Sequence, residues 1–350
     1  MTKSIEDVVR EVESAGVEEL RSVDIDSVYA QMDHVMQTRP SPLDLYDRWE
    51  RQQWAVQDLD FSEDVGHWKS MFEPLREGLQ QTLTLFFIGE QAVTDTLSPL
   101  IMGAPTEEDR VFLTTQIVDE ARHTVFFKRF FEEVVGVSGG LHGALETVRP
   151  DAVAGFRRIF DHQLLETMDR VRLDPGDYAA WVEGLTMYHL VIEGMLALTG
   201  QKFSLRTLRR IGLLPGFYAG FTAVTRDESR HVNYGVGAAR DAVARGHGSN
   251  VQKVVDDTLE AACWTIFAPD RKFMVSDPGL IPEELRINPR EIWAFSLMSL
   301  TKRLRVVGLD AAYCASVEQR GMEYYAACLS EYESLHGEEH PVRWHDRQAS

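Results

Sequence analysis

Residues 119–123 read Asp-Glu-Ala-Arg-His, and residues 227–231 read Asp-Glu-Ser-Arg-His. Each pentapeptide holds a Glu-x-x-His pair, and on a helix residues i and i+3 share a face. A carboxylate and an imidazole one turn apart can therefore grip one metal ion. A single Glu-x-x-His arises by chance in acidic helices; two near-identical copies do not read as chance. Apolar residues flank both at helical spacing: Phe112, Ile117, Phe126 and Phe127 around the first, Phe221, Val224 and Val232 around the second. The spacing predicts long helices whose motif faces are buried, where a carboxylate without a cation is costly. A pair of surface salt-bridge helices is the plain alternative, and the apolar flanks argue against it.

Two more acids sit in apolar helical stretches. Glu90 follows LTLFFIG, and Glu193 lies within MYHLVIEGMLAL. Either one alone is open to snorkelling, to pairing with an arginine or to metal binding. Together the order is Glu90, Glu120/His123, Glu193, Glu228/His231, the di-metal carboxylate arrangement of ferritin-like bundles. Four carboxylates are balanced by two divalent ions, and oxygen ligands with two imidazoles suit Fe or Mn. The expected fold is all-α, a ferritin-like four-helix bundle with additional flanking helices.

The rest of the chain is consistent with helices throughout. An acidic segment up to Ser41 reads as one or two surface helices, broken by Arg39-Pro40-Ser41-Pro42, and Trp49 to Trp68 reads as an irregular arm with short helical turns. Helices are expected over about 75–100, from Thr106 (as N-cap) to Gly136, and over about 150–171. Further helices are expected over 178–200, over a short basic stretch 205–211, and over 217–245, with two or three more to Glu333. These bounds divide the chain into an N-terminal helical extension (1–48), a ferritin-like di-metal carboxylate domain (49–335) and a polar, frayed tail (336–350). The charge balance, 36 Lys+Arg against 55 Asp+Glu for a net −19, disfavours nucleic acid and anionic membranes as partners. No apolar run is long enough for a membrane span, and the acidic N-terminus lacks a signal-peptide core. Cys263, Cys314 and Cys328 form no framework. A cytoplasmic protein is the expectation.

The segments FFIGEQAVTDTL, DEARHTVFF, YHLVIEGMLALTG and RDESRHVNYG resemble the ribonucleotide reductase small-subunit superfamily, over roughly Trp54 to Asp310. Within it the chain is most similar to the R2-like ligand-binding oxidases. Phe127 stands where radical-generating reductase subunits of the common class carry a tyrosine. Val93, one turn after Glu90, and Tyr188, five residues before Glu193, match the pair that the oxidases join by a Tyr–Val ether cross-link. The tail EEHPVRWHDRQAS has no relay tyrosine.

The resemblance implies a Mn/Fe centre or two Fe, O2 as co-substrate, oxidation of a C–H bond and a long-chain fatty-acid-like ligand with its carboxylate at the metals. It also implies a homodimer; the electron donor stays unknown. Phe86, Phe87, Leu97, Leu190, Met195 and Leu198 are the material for a ligand tunnel, and equally for an ordinary core. A ligand histidine usually donates its other N–H to a carboxylate. Asp227 is the candidate for His123, with Trp54 in the family's Trp position, or else a core anchor. Asp119 reads as an exposed helix acid. Lys302, Arg303 and Arg305 form a basic cluster that either receives a ligand headgroup or pairs with surface acids. Other readings are a different di-metal oxygenase of secondary metabolism, a Mn/Fe ribonucleotide reductase small subunit, and an iron-storage bundle.

Overall fold

The computed structural model describes residues 4–272 and 278–348, and among them every regular element is helical. In chain order these are α1 (Ile5–Ser14), α2 (Ile25–Thr38), α3 (Pro42–Arg51), α4 (Ser62–Ser70), α5 (Glu73–Thr96), α6 (Ser98–Met102), α7 (Glu107–Phe130), α8 (Gly140–Val148), α9 (Ala154–Arg157) and α10 (Leu164–Leu173). There follow α11 (Tyr178–Leu185), α12 (Leu198–Ile211), α13 (Pro215–Ala244), α14 (Gly248–Ile266), α15 (Pro289–Val307), α16 (Ala311–His336) and α17 (Val342–Gln348). Segments of π-helix join α9 to α10 (Arg158–Gln163) and α11 to α12 (Thr186–Ala197), and one extends α7 (Phe131–Val135).

Four rods carry the motifs. α5 packs on α7, α7 on α13, and α13 on the Thr186–Ala197 segment. The helix starts follow local chemistry. Thr106 caps α7 by accepting from the Asp109 amide, and three acids fill the first turn. Gly136, at φ 90°, takes the left-handed turn that ends the α7 extension. One end of the bundle is cemented by aromatic residues four apart: Phe126 and Phe130 on α7 face Phe217 and Phe221 on α13, with Phe130 and Phe217 centroids 4.5 Å apart.

The structure departs from the sequence reading in several places. α2 is not a surface helix: Ile25, Val28, Tyr29, Met32, Val35 and Met36 form a buried stripe against α13. Its two acids, Asp26 and Asp33, lie on the other face. The buried Arg226 of α13 donates to the Val12 and Ala15 carbonyls at the end of α1 and to the Gln52 carbonyl, so the N-terminal helices are tied to the bundle. The basic stretch 205–211 continues the preceding helix. The tail is not frayed up to Gln348: Val342 of α17 is fully buried. No helix among the described residues is long and apolar enough to cross a membrane.

Close approach of α13 to the π-helical segment depends on Gly235, where a Cβ would lie 2.1 Å from the His189 Cβ. We predict that Gly235→Ala destabilises the fold by about 1–3 kcal/mol through overpacking. Gly237→Ala, on the same helix with nothing within 4 Å, is expected to be neutral or to stabilise by up to ~1 kcal/mol. Denaturant unfolding of the two variants beside the parent checks both.

Candidate metal centre

The six acids and imidazoles proposed as ligands converge in the bundle centre, all buried. Their side-chain donor atoms fall into two overlapping groups. Glu90, Glu120, His123 and Glu228 form one, Glu120, Glu193 and His231 the other, each with its atoms within 4.8 Å of one another. His123 Nδ1 lies 3.3 Å from Glu90, 3.4 Å from Glu120 and 3.7 Å from Glu228. His231 Nδ1 lies 3.1 Å from Glu193, 3.3 Å from Glu120 and 3.5 Å from Glu228. Glu90 with His123, and Glu193 with His231, are thus terminal pairs. Glu120 and Glu228 stand between the two imidazoles, where one carboxylate can serve two ions.

The electrostatics are those of a cation site. Burial, followed by the Glu120 charge, pushes Glu228 up to about 7, and burial pushes Glu90 up to about 8. Burial alone would lower the two imidazoles, but the Glu90 charge and three carboxylate hydrogen bonds hold His123 well above its ordinary value. Glu193, Asp119 and Glu120 do the same for His231. Without metal, protons therefore take the place of cations. Glu193 Oε2 and Glu228 Oε2 are buried without a hydrogen-bond donor among the described residues. A set of four carboxylates and two imidazoles with orphaned oxygens fits two divalent ions.

Around this set the two pentapeptides cross over. His123 Nε2 donates to Asp227 at 3.2 Å, and His231 Nε2 donates to Asp119 at 3.2 Å. Each motif's aspartate serves the other motif's histidine. Arg230 Nη2 donates to both aspartates, at 3.0 Å to Asp119 and 2.6 Å to Asp227. Arg122 donates to Asp119 at 2.6 Å, and its guanidinium lies 5.5 Å above the Trp54 ring. Burial tends to raise Asp227, but the Arg230 charge and the His123 bond hold it well below the usual carboxylate range. Trp54 Nε1 donates to Asp227 at 2.8 Å, and Trp49 Nε1 donates to Asp119 at 3.0 Å.

Asp119 is therefore no exposed acid; it is 1% exposed. It was hidden because a residue beside a ligand is assigned to the opposite helix face, and here both faces are covered. Gln116 and His189 were also missed. Gln116 Nε2 donates to Glu193 at 3.0 Å, and the Gln116 carbonyl accepts from His189 Nε2 at 3.0 Å. Burial, then the His231 charge, pushes His189 down to about 3, so it is neutral. Gln116, one turn before Glu120, was the available signal.

Tyr188 donates from its hydroxyl to Glu120 Oε1. A cavity of about 490 Å³ reaches from solvent to Glu90, Glu120, Glu193 and Glu228, with Val93 and Tyr188 in its wall. Of the six proposed tunnel residues only Phe86 lines it; Phe87, Leu97, Leu190, Met195 and Leu198 fill the core. The basic cluster does not serve a headgroup either. Lys302 pairs with Asp33 at 2.5 Å, Arg305 with Glu318 at 2.7 Å, and Arg303 is buried against the Ser299 carbonyl. Phe127 is fully buried among Phe86, Phe126 and Phe221.

Fold and site together define a di-metal carboxylate protein on a ferritin-like helical bundle. Residues 38–319 match the family "Ribonucleotide reductase, small chain", and the chain belongs to that family. Solved structures of variants of an R2-like ligand-binding oxidase share the fold. One with a Tyr-to-Phe change and anaerobically reconstituted Mn/Fe cofactor is 22% identical, with a TM-score of 0.65 over 76% of this chain and 92% of that one. Another, a Val-to-Ile variant with aerobically reconstituted Mn/Fe cofactor, is also 22% identical, with a TM-score of 0.66 over 76% and 93%. A Glu-to-Asp variant aligns over 83% of this chain and 92% of its own at 21% identity, with a TM-score of 0.59.

Two predictions concern loading. Metal must displace protons from the imidazole Nδ1 atoms and from the raised carboxyls. Apparent affinity for Mn(II) or Fe(II) should therefore rise with pH through about 7 and about 8, the values of Glu228 and Glu90, with protons released in proportion. Calorimetry in buffers of different ionisation enthalpy reads this directly; affinity that falls with pH contradicts it. Asp119→Asn should weaken binding by roughly 10- to 100-fold, because it removes the carboxylate charge that orients His231 and strengthens it as a ligand.

Proposed function

We propose that the protein is an O2-activating oxidoreductase of the R2-like ligand-binding oxidase type, oxidising C–H bonds with a Mn/Fe centre or with two Fe. The observation that carries this reading is the cavity, which ends on the four ligand carboxylates beside Tyr188 and Val93. Such a cavity lies within the usual size range of small-molecule sites, about 300–1,000 Å³. A long apolar molecule is its natural occupant, and O2 the oxidant.

When bound, the metal pair supplies reductive activation of O2 and oxidising power for a C–H bond or phenol. The chain's own groups set the conditions. Glu90 and Glu193 each face one imidazole, and with Glu120 and Glu228 they would hold the metal pair. Burial, followed by the Glu120 charge, holds the Tyr188 phenol well above its ordinary value, so it stays protonated, with its O–H aimed at Glu120. Glu120 Oε1 is thus the acceptor for the phenolic proton when Tyr188 is oxidised. Joining Tyr188 Oη to Val93 Cβ removes one hydrogen from each, two protons and two electrons in all, which O2 takes up. Trp54, Asp227 and His123 form a hydrogen-bonded chain, the proposed route for electrons from a donor outside.

Phe127 speaks against a tyrosyl-radical reductase subunit of the common class, since no phenol stands there. A related di-metal oxygenase remains the second reading. It keeps the six ligands and the cavity but needs no bond between Tyr188 and Val93.

After metal loading in air, peptides holding Val93 and Tyr188 should appear covalently joined and lighter by two hydrogens in mass spectra. Tyr188→Phe should keep both metals and lose the joined peptide. Unlinked peptides in fully loaded, O2-exposed protein would reject the cross-link and favour the second reading.

A further inference from the structure

The segment Thr186–Ala197, which carries Tyr188 and Glu193, is π-helical over 12 residues. Such winding is rare beyond a single turn and recurs at functional sites. On an α-helix, residues five apart point about 140° away from each other. A π-helix closes its hydrogen bonds from i to i+5, so residues five apart come onto one face. Tyr188 and Glu193 are such a pair. Both line the inner end of the cavity, the phenol on Glu120 and the carboxylate beside His231. Rewound as an α-helix, the segment would turn one of the two away from the site.

α15 packs on this segment and reaches the residue next to the ligand. Ser299 Oγ donates to the Gly194 carbonyl at 2.6 Å. Arg303, one turn further along α15, donates from Nη1 to Ser299 Oγ at 2.7 Å and to the Ser299 carbonyl at 2.6 Å. A helical serine otherwise turns to the carbonyl four residues back in its own helix; here the guanidinium holds the hydroxyl outward. The arginine stem lies against Gly194, where a Cβ would come 3.1 Å from Arg303 Cδ and 2.9 Å from the His189 carbonyl. Arg303 is 2% exposed and has no carboxylate within ion-pair distance among the described residues, and its Nε has no partner there either. Burial pushes its guanidinium down to about 10. A buried arginine without a counter-ion costs stability, so packing alone does not account for it.

We infer that Arg303 is a positioning residue for the metal centre: through Ser299 it clamps the Gly194 carbonyl and holds Thr186–Ala197 in π winding, with Glu193 and Tyr188 on one face. The clamp has three parts from two elements. Gly194 admits the arginine stem, the Ser299 hydroxyl grips the carbonyl of the residue after the ligand, and the Arg303 guanidinium fixes that hydroxyl. The inference rests on the metal pair of the proposed function and not on the reaction assigned to it.

The test is anaerobic calorimetric titration of Mn(II) into the full-length protein and its Arg303→Met, Arg303→Lys and Ser299→Ala variants, beside denaturant unfolding of each metal-free protein. Arg303→Met removes a buried unpaired charge, so the metal-free variant should unfold at the parent's denaturant concentration or above it. Its affinity for one of the two ions should nevertheless fall roughly 10- to 100-fold, the other changing by no more than about twofold. Ser299→Ala should do the same, and Arg303→Lys should keep most of the affinity. In a His231→Ala background Arg303→Met should add no further loss, because the ion served by Glu193 is already gone. Amide hydrogen exchange over 186–197 should quicken in Arg303→Met and stay near the parent's in Arg303→Lys. Should Arg303→Met fail to fold, Ser299→Ala still decides. Parent-like binding of both ions by the Met and Ala variants would overturn the inference and leave the metal pair intact, and so would equal weakening of both ions in step with lost stability. A parent protein that binds fewer than two ions would overturn the inference and the metal pair together.

Discussion

Four carboxylates gathered in a dry helical core cannot all stay charged without cations. In a low-dielectric interior their mutual repulsion and lost hydration exceed what packing returns. The protein meets this constraint at the centre of the bundle. Two imidazoles and a shared pair of carboxylates make room for two divalent ions. Where metal is absent, the same groups take up protons, as the raised carboxyls of Glu90 and Glu228 record. The register of α5, α7, α13 and the π-helical segment follows from the need to bring these six side chains to one place.

The repeated pentapeptide solves the arrangement twice with one set of parts. In each copy Glu and His point inward, Asp supports the histidine of the other copy, and Arg neutralises the aspartates. The exchange locks α7 to α13 through buried, hydrogen-bonded charge, an arrangement that is favourable only when every member is satisfied. Its outer edge is a pair of indoles, Trp54 on Asp227 and Trp49 on Asp119. Gln116 and His189 brace Glu193 from the opposite side, so neither terminal pair hangs on a single contact.

The six candidate ligands were legible in the sequence because charge in an apolar helix is conspicuous and Glu-x-x-His has a fixed spacing. Asp119 was not, since helical periodicity assumes one wet face and α7 has none near the motif. Trp49 and His189 were out of reach because their partners come from distant elements. The apolar residues of the tunnel were misread for a related reason: Phe87 and Leu190 have the composition of a lining and the position of a core, and periodicity does not separate the two. The acids of residues 5–24 give the whole N-terminal segment a surface character and hide the apolar stripe of α2 from Ile25 to Met36.

The account stands or falls on the metal pair. The most direct measurement is anomalous diffraction from crystals of protein loaded with Mn(II) and Fe(II) in air, at the absorption edges of both metals. Two ions per chain should appear, one held by Glu90 and His123, the other by Glu193 and His231, with Glu120 and Glu228 between them. A single ion, none, or ions bound elsewhere with these six side chains turned away would contradict it.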